Sequence, residues 1–358
     1  MNEVRDVLVI DDEAERLETL ATSLRVVLGD GIGVRTWLPE VGQEAPLERF
    51  DREVRAGLAL IVTDDDLTKS RLGILGSSVT TWAQDKFIPV CNFSRKPERR
   101  LPRERNFFEL RVPPQRDDEN VRAEYIERIY RGFEHIRQYI GEADHGRPIA
   151  ELLAGAMGLP QLSDDVAPFL MSIASANSSL MQAVLVEQGR PSDNERVDLL
   201  TFIFGHVLVN AVLEFPGPIL SRRTLTAYCG VSEQMDDQMA HLFAEASYDG
   251  PFSMPSMYFQ RRLVDRRIDE LAKELTDAPD EPDEYARAAV EQAIGSLLPH
   301  GCHRCGGTRG GYWCPFTQRA VCTRIDCSVV SNTWIPRGAT LCRVEHDYFE
   351  ELAPLLGD

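Results

Sequence analysis

Across the first 145 residues, apolar runs of strand length alternate with segments of helical period, and no other property of the chain restricts its fold as much. The runs are Val7–Ile10, Ile32–Leu38, Leu58–Thr63, Ile88–Ser94 and Phe107–Val112. Ala14–Leu28, Leu47–Gly57 and Leu72–Lys86 lie between them with apolar residues three and four apart. A longer segment, Asn120–Ile140, places Val121, Tyr125, Ile129, Phe133, Ile136 and Ile140 on one face. Strands that alternate with helices are joined by crossovers, which makes them parallel and covers both faces of their sheet. The expected fold of residues 1–145 is therefore an α/β domain with a doubly wound, parallel five-stranded sheet. In such sheets polar function gathers at the carboxyl ends of the strands.

Those ends are acidic. The first strand runs into Asp11, Asp12 and Glu13, and the third into Asp64, Asp65 and Asp66. The fourth ends on Ser94, and the fifth carries Arg111. Carboxylates gathered at one sheet edge repel each other, and a hard divalent cation such as Mg2+, which takes oxygen ligands and keeps several waters, relieves that repulsion. A hydroxyl and a guanidinium beside the cation suit a phosphoryl group. Two plainer readings exist. Asp11 and Asp12 can serve as a helix N-cap beside a favourable dipole, and Asp64–Asp66 can form a solvated acidic turn.

The stretches "VLVIDDE", "LIVTDDD" and "IPVCNFS" fall in this order on the ends of three strands. In this, residues 1–145 resemble the receiver domain of two-component response regulators. The resemblance implies that Asp64 is phosphorylated by a histidine kinase or phosphotransfer protein. It also implies that Asp11 and Asp12 hold Mg2+ together with Asp64, and that Ser94 stands where the family has its switch Thr or Ser. The chain departs from the family in three places. The fifth strand offers Arg111 instead of Lys-Pro, and an arginine differs from a lysine in fork and reach. The loop after Asp64 lacks the usual proline. The fourth helix is short or replaced by "RKPERRLPRERN", residues 95–106, with net charge +4. That basic run reads first as a solvated loop and second as a dock for an acidic surface.

Residues 146–275 are expected to form an all-α middle domain. Two long apolar segments lie there, the second stopped by Pro216-Gly217-Pro218. His206 lies inside that second segment and is read as a core histidine. Residues 220–246 have the pattern of two helices about a turn at Gly230, with Ser232 capping the second. From Glu233 to Ala246 there is no Lys or Arg, so this element is expected to be a helical hairpin and not a DNA reader. "TDAPDEPDE", residues 276–284, has five acids and no base and reads as an exposed linker.

Residues 285–358 are expected to be one more helix followed by a small zinc-binding module. Six of the eight cysteines lie between Cys302 and Cys342. Cys302-x2-Cys305 and Cys322-x4-Cys327 are two knuckles whose four thiolates suit tetrahedral structural Zn2+, as in a zinc ribbon. Cys314 and Cys342 are left over, with His300, His303 and His346; one of these is a candidate to replace a ligand of that site, or three to help form a second site. No HExxH or HxE…PCxxC pattern is present and four thiolates close the metal's shell, so no catalytic residue is assigned and the chain is not expected to be an enzyme.

Net charge −18 argues against whole-chain attraction to nucleic acid or anionic lipid. No apolar run has the length needed to cross a bilayer, and the acidic start of the chain is not a signal peptide. The expectation is a cytoplasmic response regulator or adaptor that relays phosphorylation through helical and zinc modules to a downstream protein partner. Receivers joined to unfamiliar helical and zinc modules also occur in bacterial antiphage defence and stress pathways. Two alternatives stand beside it. One is a transcriptional regulator that binds nucleic acid through the zinc module, and the other a phosphate-independent scaffold with a degenerate receiver.

Overall fold

A computed structural model of the chain describes residues 5–40, 45–55, 57–70, 72–93, 107–112, 118–176, 193–254, 256–275, 279, 282–295, 301–307 and 311–356. Its contacts separate into two compact units. The first comprises residues 1–99, 106–146 and 182–206, and the second residues 100–105, 147–181 and 207–358.

The first unit is built on β1 (Asp6–Ile10), β2 (Val34–Trp37), β3 (Leu58–Asp64), β4 (Val90–Phe93) and β5 (Leu110–Val112). They form one sheet in the order β2-β1-β3-β4-β5, and every pairing is parallel. Every residue of β3 and β4 is buried, as expected of strands covered on both faces. The helices are α1 (Ala14–Leu28), α2 (Pro46–Arg55), α3 (Gly76–Gln84) and α4 (Glu119–Glu142). Strand alternation directs Leu8, Ile10, Ile61 and Val90 toward Phe50 of α2 and Val79 and Ala83 of α3, in one apolar cluster. On the other side α4 packs along α1 and against β3 and β5. Asp118 opens α4 by accepting the Asn120 N–H at 3.0 Å.

A later helix, α7 (Asp193–Val207), belongs to this unit through its residues up to 206, although α5 (Ile149–Ala156) and α6 (Ser163–Ala176) precede it in the chain and belong to the second. Asp198 of α7 pairs with Arg5 at the start of β1 at 3.0 Å, and also with Arg137. Phe202 stacks on Phe108 and meets Phe87, which lies just before β4. Helix α7 thus covers the amino ends of the strands, at the edge opposite the acidic strand ends. His206 is fully buried among Phe108, Phe133 and Phe202, and its Nδ1 lies 2.6 Å from the Phe202 carbonyl oxygen. It is a core histidine, held neutral because burial lowers its pKa to about 4.

The second unit is helical in large part, but two three-residue strands interrupt the region expected to be all-α. β6 (Ile219–Ser221) and β7 (Tyr258–Gln260) pair antiparallel. Between them lie α8 (Arg222–Tyr228) and α9 (Asp236–Leu242), joined through Gly230 at φ 65. Ser232 accepts the Gln234 N–H and so caps the 3-10 turn Glu233–Met235 that precedes α9, whereas α9 itself starts after Met235 without a side-chain cap. α10 (Arg261–Ala272) and α11 (Pro282–Ile294) complete this part. Leu225, Met239, Phe259, Ile268, Ala289 and Val290 share one core, so α11, which begins within the acidic segment 276–284, packs with the elements before that segment. Of that segment only residues 279 and 282–284 are described.

The chain closes with two short antiparallel pairs and a helix. β8 (Tyr312–Cys314) pairs with β9 (Arg319–Val321), β10 (Ser328–Val329) pairs with β11 (Val344–Glu345), and α12 (His346–Leu356) follows. Trp313 and Ala320 of the first hairpin pack on Ala227 of α8, and the Gly311 N–H donates to the Ala227 carbonyl at 3.0 Å. Among the described residues no helix is long and apolar enough to cross a membrane.

Candidate functional site

Two constellations stand out: an acidic group on the carboxyl edge of the sheet, and four sulfurs at the end of the second unit.

The acidic group lies where the strand order reverses. β1 is followed by β2 on one side and neighbours β3 on the other, so the loops leaving β1 and β3 diverge and open a crevice at their carboxyl ends. The register pairs Ile10 with Thr63, which brings Asp11 and Asp64 side by side one residue further on. Both are buried, at 1% and 7% exposure. Burial is the main reason that the Asp11 pKa rises to about 6, and the Asp64 charge adds to it. The Glu13 N–H, which donates to Asp11 Oδ1 at 2.8 Å, opposes the rise.

The loop after β3 folds back over this edge. Asp64 Oδ1 accepts the Asp66 N–H at 3.2 Å, and Asp66 Oδ1 accepts from the Thr68 hydroxyl at 2.5 Å. The short 3-10 turn Thr68–Ser70 follows, and the Ser70 N–H donates to Asp12 Oδ2 at 3.2 Å. Lys69 on this turn pairs with Glu13, which also meets Arg16 at 2.6 Å. Gly76 then starts α3 against the back of the same loop. A Cβ there would stand 2.6 Å from the Asp64 carbonyl oxygen and 2.8 Å from the Asp65 Cα, so only glycine fits without movement.

The expected residues are placed unevenly. Asp11 and Asp64 are neighbours. Asp12 is turned to the Ser70 amide. Among the described residues, Asp11, Asp12 and Asp64 do not form a group with ligand atoms gathered within 4.8 Å. Each of these carboxylates accepts a backbone N–H, Asp11 from Glu13, Asp12 from Ser70 and Asp64 from Asp66. Arg111 pairs with Glu109 at 3.5 Å. It also offsets the charge felt by Asp65, whose pKa rises to about 6 through burial first and then through Glu109. Ser94 and the basic segment 95–106 lie outside the described residues. Sequence reasoning missed Lys69 and Glu109. The signal for Lys69 was present, because a loop leaving β3 shares its edge with the loop leaving β1.

The sulfur group is compact. Cys302, Cys305, Cys322 and Cys327 bring their Sγ atoms within 4.8 Å of one another. Cys305 and Cys322 are 3.9 Å apart, far beyond a disulfide bond of about 2.05 Å. Four sulfurs about 2.3 Å from a tetrahedral centre stand about 3.8 Å from each other, so the spacing fits a zinc-sized ion. Two tight turns produce it. The Gly306 N–H donates to the Cys302 carbonyl at 2.8 Å, and the Cys327 N–H to the Arg324 carbonyl at 2.8 Å. The Gly307 backbone is the main cause that lowers the Cys305 pKa to about 7, whereas burial raises those of Cys322 and Cys327. A bound cation favours all four thiolates. The second turn is anchored by Ser328, which donates to the Cys322 carbonyl at 2.5 Å and accepts from Arg343 Nε at 2.6 Å.

The other candidate ligands lie outside this group. Cys314 Sγ accepts the Glu345 N–H at 3.3 Å, and the Cys342 thiol donates to the Pro216 carbonyl at 3.8 Å. Burial raises the Cys342 pKa well above its usual value, and the neighbouring Cys314 adds to the rise. His303 Nε2 lies 2.6 Å from Arg319. His346 gathers with Asp347 and Glu350 on an exposed turn, where Arg304 already pairs with Asp347. His300 lies outside the described residues.

No protein-family model, no curated protein and no solved structure was found to match the chain.

Proposed function

We propose that the chain is a signalling protein whose first unit accepts a phosphoryl group on Asp64 in the manner of a receiver domain, with Mg2+ held by Asp11, Asp12 and Asp64. The second unit, with one structural zinc on Cys302, Cys305, Cys322 and Cys327, relays the phosphorylation state to a protein partner. One observation carries the reading: Asp11 and Asp64 are buried side by side on adjacent strand ends, where the strand order reverses. Placing two carboxylates there costs stability in the absence of a ligand, and a divalent cation converts that cost into binding energy. Phosphorylation adds charge at this edge and biases the β3–α3 loop, which meets the residues just after β1 through the Asp12–Ser70 hydrogen bond and the Glu13–Lys69 pair. The upstream partner is a histidine kinase or phosphotransfer protein. The zinc supplies a crosslink between two turns and no chemistry, because four thiolates leave it no open position.

A nucleic-acid reading is weaker. Six arginines and two acids lie between residues 302 and 346, but a zinc held by four thiolates is itself doubly negative. The arginines around the knuckles are thus offset by the metal centre, and Arg304 also by Asp347. A phosphate-independent scaffold gains from Arg111, which is engaged by Glu109.

The test is to incubate the protein with Mg2+ and acetyl phosphate and read the intact mass. One phosphoryl adduct, absent from Asp64→Asn, is expected. No adduct from either the small donor or a kinase leaves the scaffold. Metal analysis of protein purified without chelators is expected to give about one zinc per chain.

A further inference from the structure

The four sulfurs of the cluster are unequally protected. Cys302, Cys322 and Cys327 are each 1% exposed, whereas Cys305 is exposed to solvent. The cause lies in the first turn. After Cys305 the chain passes through Gly306 at φ +63, where a side chain would be strained, and a Cβ at Gly306 would meet nothing within 4 Å. His303, Arg304 and Gly306, the residues nearest in the turn, are themselves exposed, so none of them closes over the sulfur. The second turn differs. Thr323, Arg324, Ile325 and Asp326 face solvent while Cys322 and Cys327 point inward, beneath Ser328 and the β10–β11 pair.

We propose that Cys305 is an oxidation site through which peroxides release the metal. The inference rests on the zinc reading given above. A thiolate held by zinc is already deprotonated, and access then decides which of the four reacts. The Cys305 sulfur attacks one peroxide oxygen. An S–O bond forms, the O–O bond breaks, and the leaving hydroxide takes a proton to become water. The sulfenic acid is then attacked by a second cluster thiolate, for which Cys322 at 3.9 Å is positioned. An S–S bond forms, the S–O bond breaks, and a second hydroxide leaves as water. Two thiolates have lost two electrons, one peroxide has gained them, and zinc has lost two of its four ligands. Release then loosens the turn that supports the β8–β9 hairpin, whose Trp313 and Ala320 sit on α8.

The experiment treats the full-length, zinc-loaded protein with hydrogen peroxide and follows zinc with a chromophoric chelator. Aliquots are alkylated and mapped by mass spectrometry. At less than one peroxide per chain, Cys305 is expected to be the first thiol lost, with zinc released in step and a disulfide that includes Cys305. Cys305→His keeps a ligand of zinc-binding type and is expected to slow release at least tenfold. First oxidation at Cys302, Cys314, Cys322, Cys327 or Cys342, a disulfide without Cys305, or equally fast release from Cys305→His overturns the proposal. If Cys305→His does not fold, the wild-type map decides alone. Protein that carries no zinc at the outset overturns the zinc reading itself, and metal analysis before peroxide is added distinguishes that failure.

Discussion

Replacing Asp11 with Asn should make the protein more stable at pH 8. Asp11 is 1% exposed, and burial beside Asp64 raises its pKa from 3.8 to about 6. The native form therefore keeps its proton to a higher pH than the unfolded chain does. The penalty is absent below about pH 3.8, grows through the interval, and is complete above about pH 6. Each tenfold step in proton affinity corresponds to about 1.4 kcal/mol, which puts the ceiling near 3 kcal/mol. Asn keeps the Oδ1 acceptor for the Glu13 N–H and removes only the charge. Allowing for relaxation around the site, we expect a gain of about 2 kcal/mol at pH 8, equivalent to a rise of about 4–8 °C in the melting temperature of the first unit. The assay is scanning calorimetry of wild type and Asp11→Asn at pH 8 and at pH 4, without divalent ions. The gain should vanish at pH 4. A lower melting temperature for the variant at pH 8, or a gain independent of pH, would refute the electrostatic argument. With Mg2+ added, the wild type should close the gap, because the ion compensates the charge that the variant lacks.

Three further outcomes are expected. His206 titrates near pH 4 in the native state and near 6.5 when unfolded, so its stabilising share is complete above about pH 6.5 and is lost as the pH falls toward 4. Denaturant curves should show wild type losing about 2 kcal/mol more than His206→Gln between pH 7 and pH 5. Gly76→Ala forces a methyl against the Asp64 carbonyl and should cost about 1–3 kcal/mol in urea unfolding; a neutral result would mean that the loop yields freely. Cys322→Ser should reduce bound zinc from about one to near zero per chain and shift the Trp313 fluorescence, because the β8–β9 hairpin loses its crosslink.

Where local pattern and tertiary environment agree, the sequence was easy to read. Helix α1 runs from Ala14 to Leu28, the interval its period marks, and the five strands fall within or close to their apolar runs. Spacing confines each pair of knuckle cysteines to one turn, and the β8–β9 hairpin, whose Ala320 carbonyl accepts the His303 N–H at 2.9 Å, brings the two turns together. Other features depend on partners distant in sequence. β6 and β7 are three residues each, too short for any period to register. Helix α7 is polar in its first turns and apolar from Leu199 to Phe204, which says that its later part is buried but not against what, and its place at the amino edge of the sheet depends on Phe108, Phe133 and Arg5. The acidic residues were legible as a cluster, whereas their orientation was not. Ser70 supplies a backbone amide to Asp12, and no side-chain pattern announces that.

The position of α7 also bears on how the chain is made. Arg5 waits for a carboxylate 193 residues downstream. When α4 leaves the ribosome, all five strands have been synthesised, but Phe108, Phe133 and the amino ends of β3 and β4 still lack their cover. At ordinary translation speeds that interval lasts roughly 3–12 s, long compared with the collapse of a small domain. The nascent first unit is thus most prone to aggregate in this window, and a fragment ended at residue 146 would stay in it permanently.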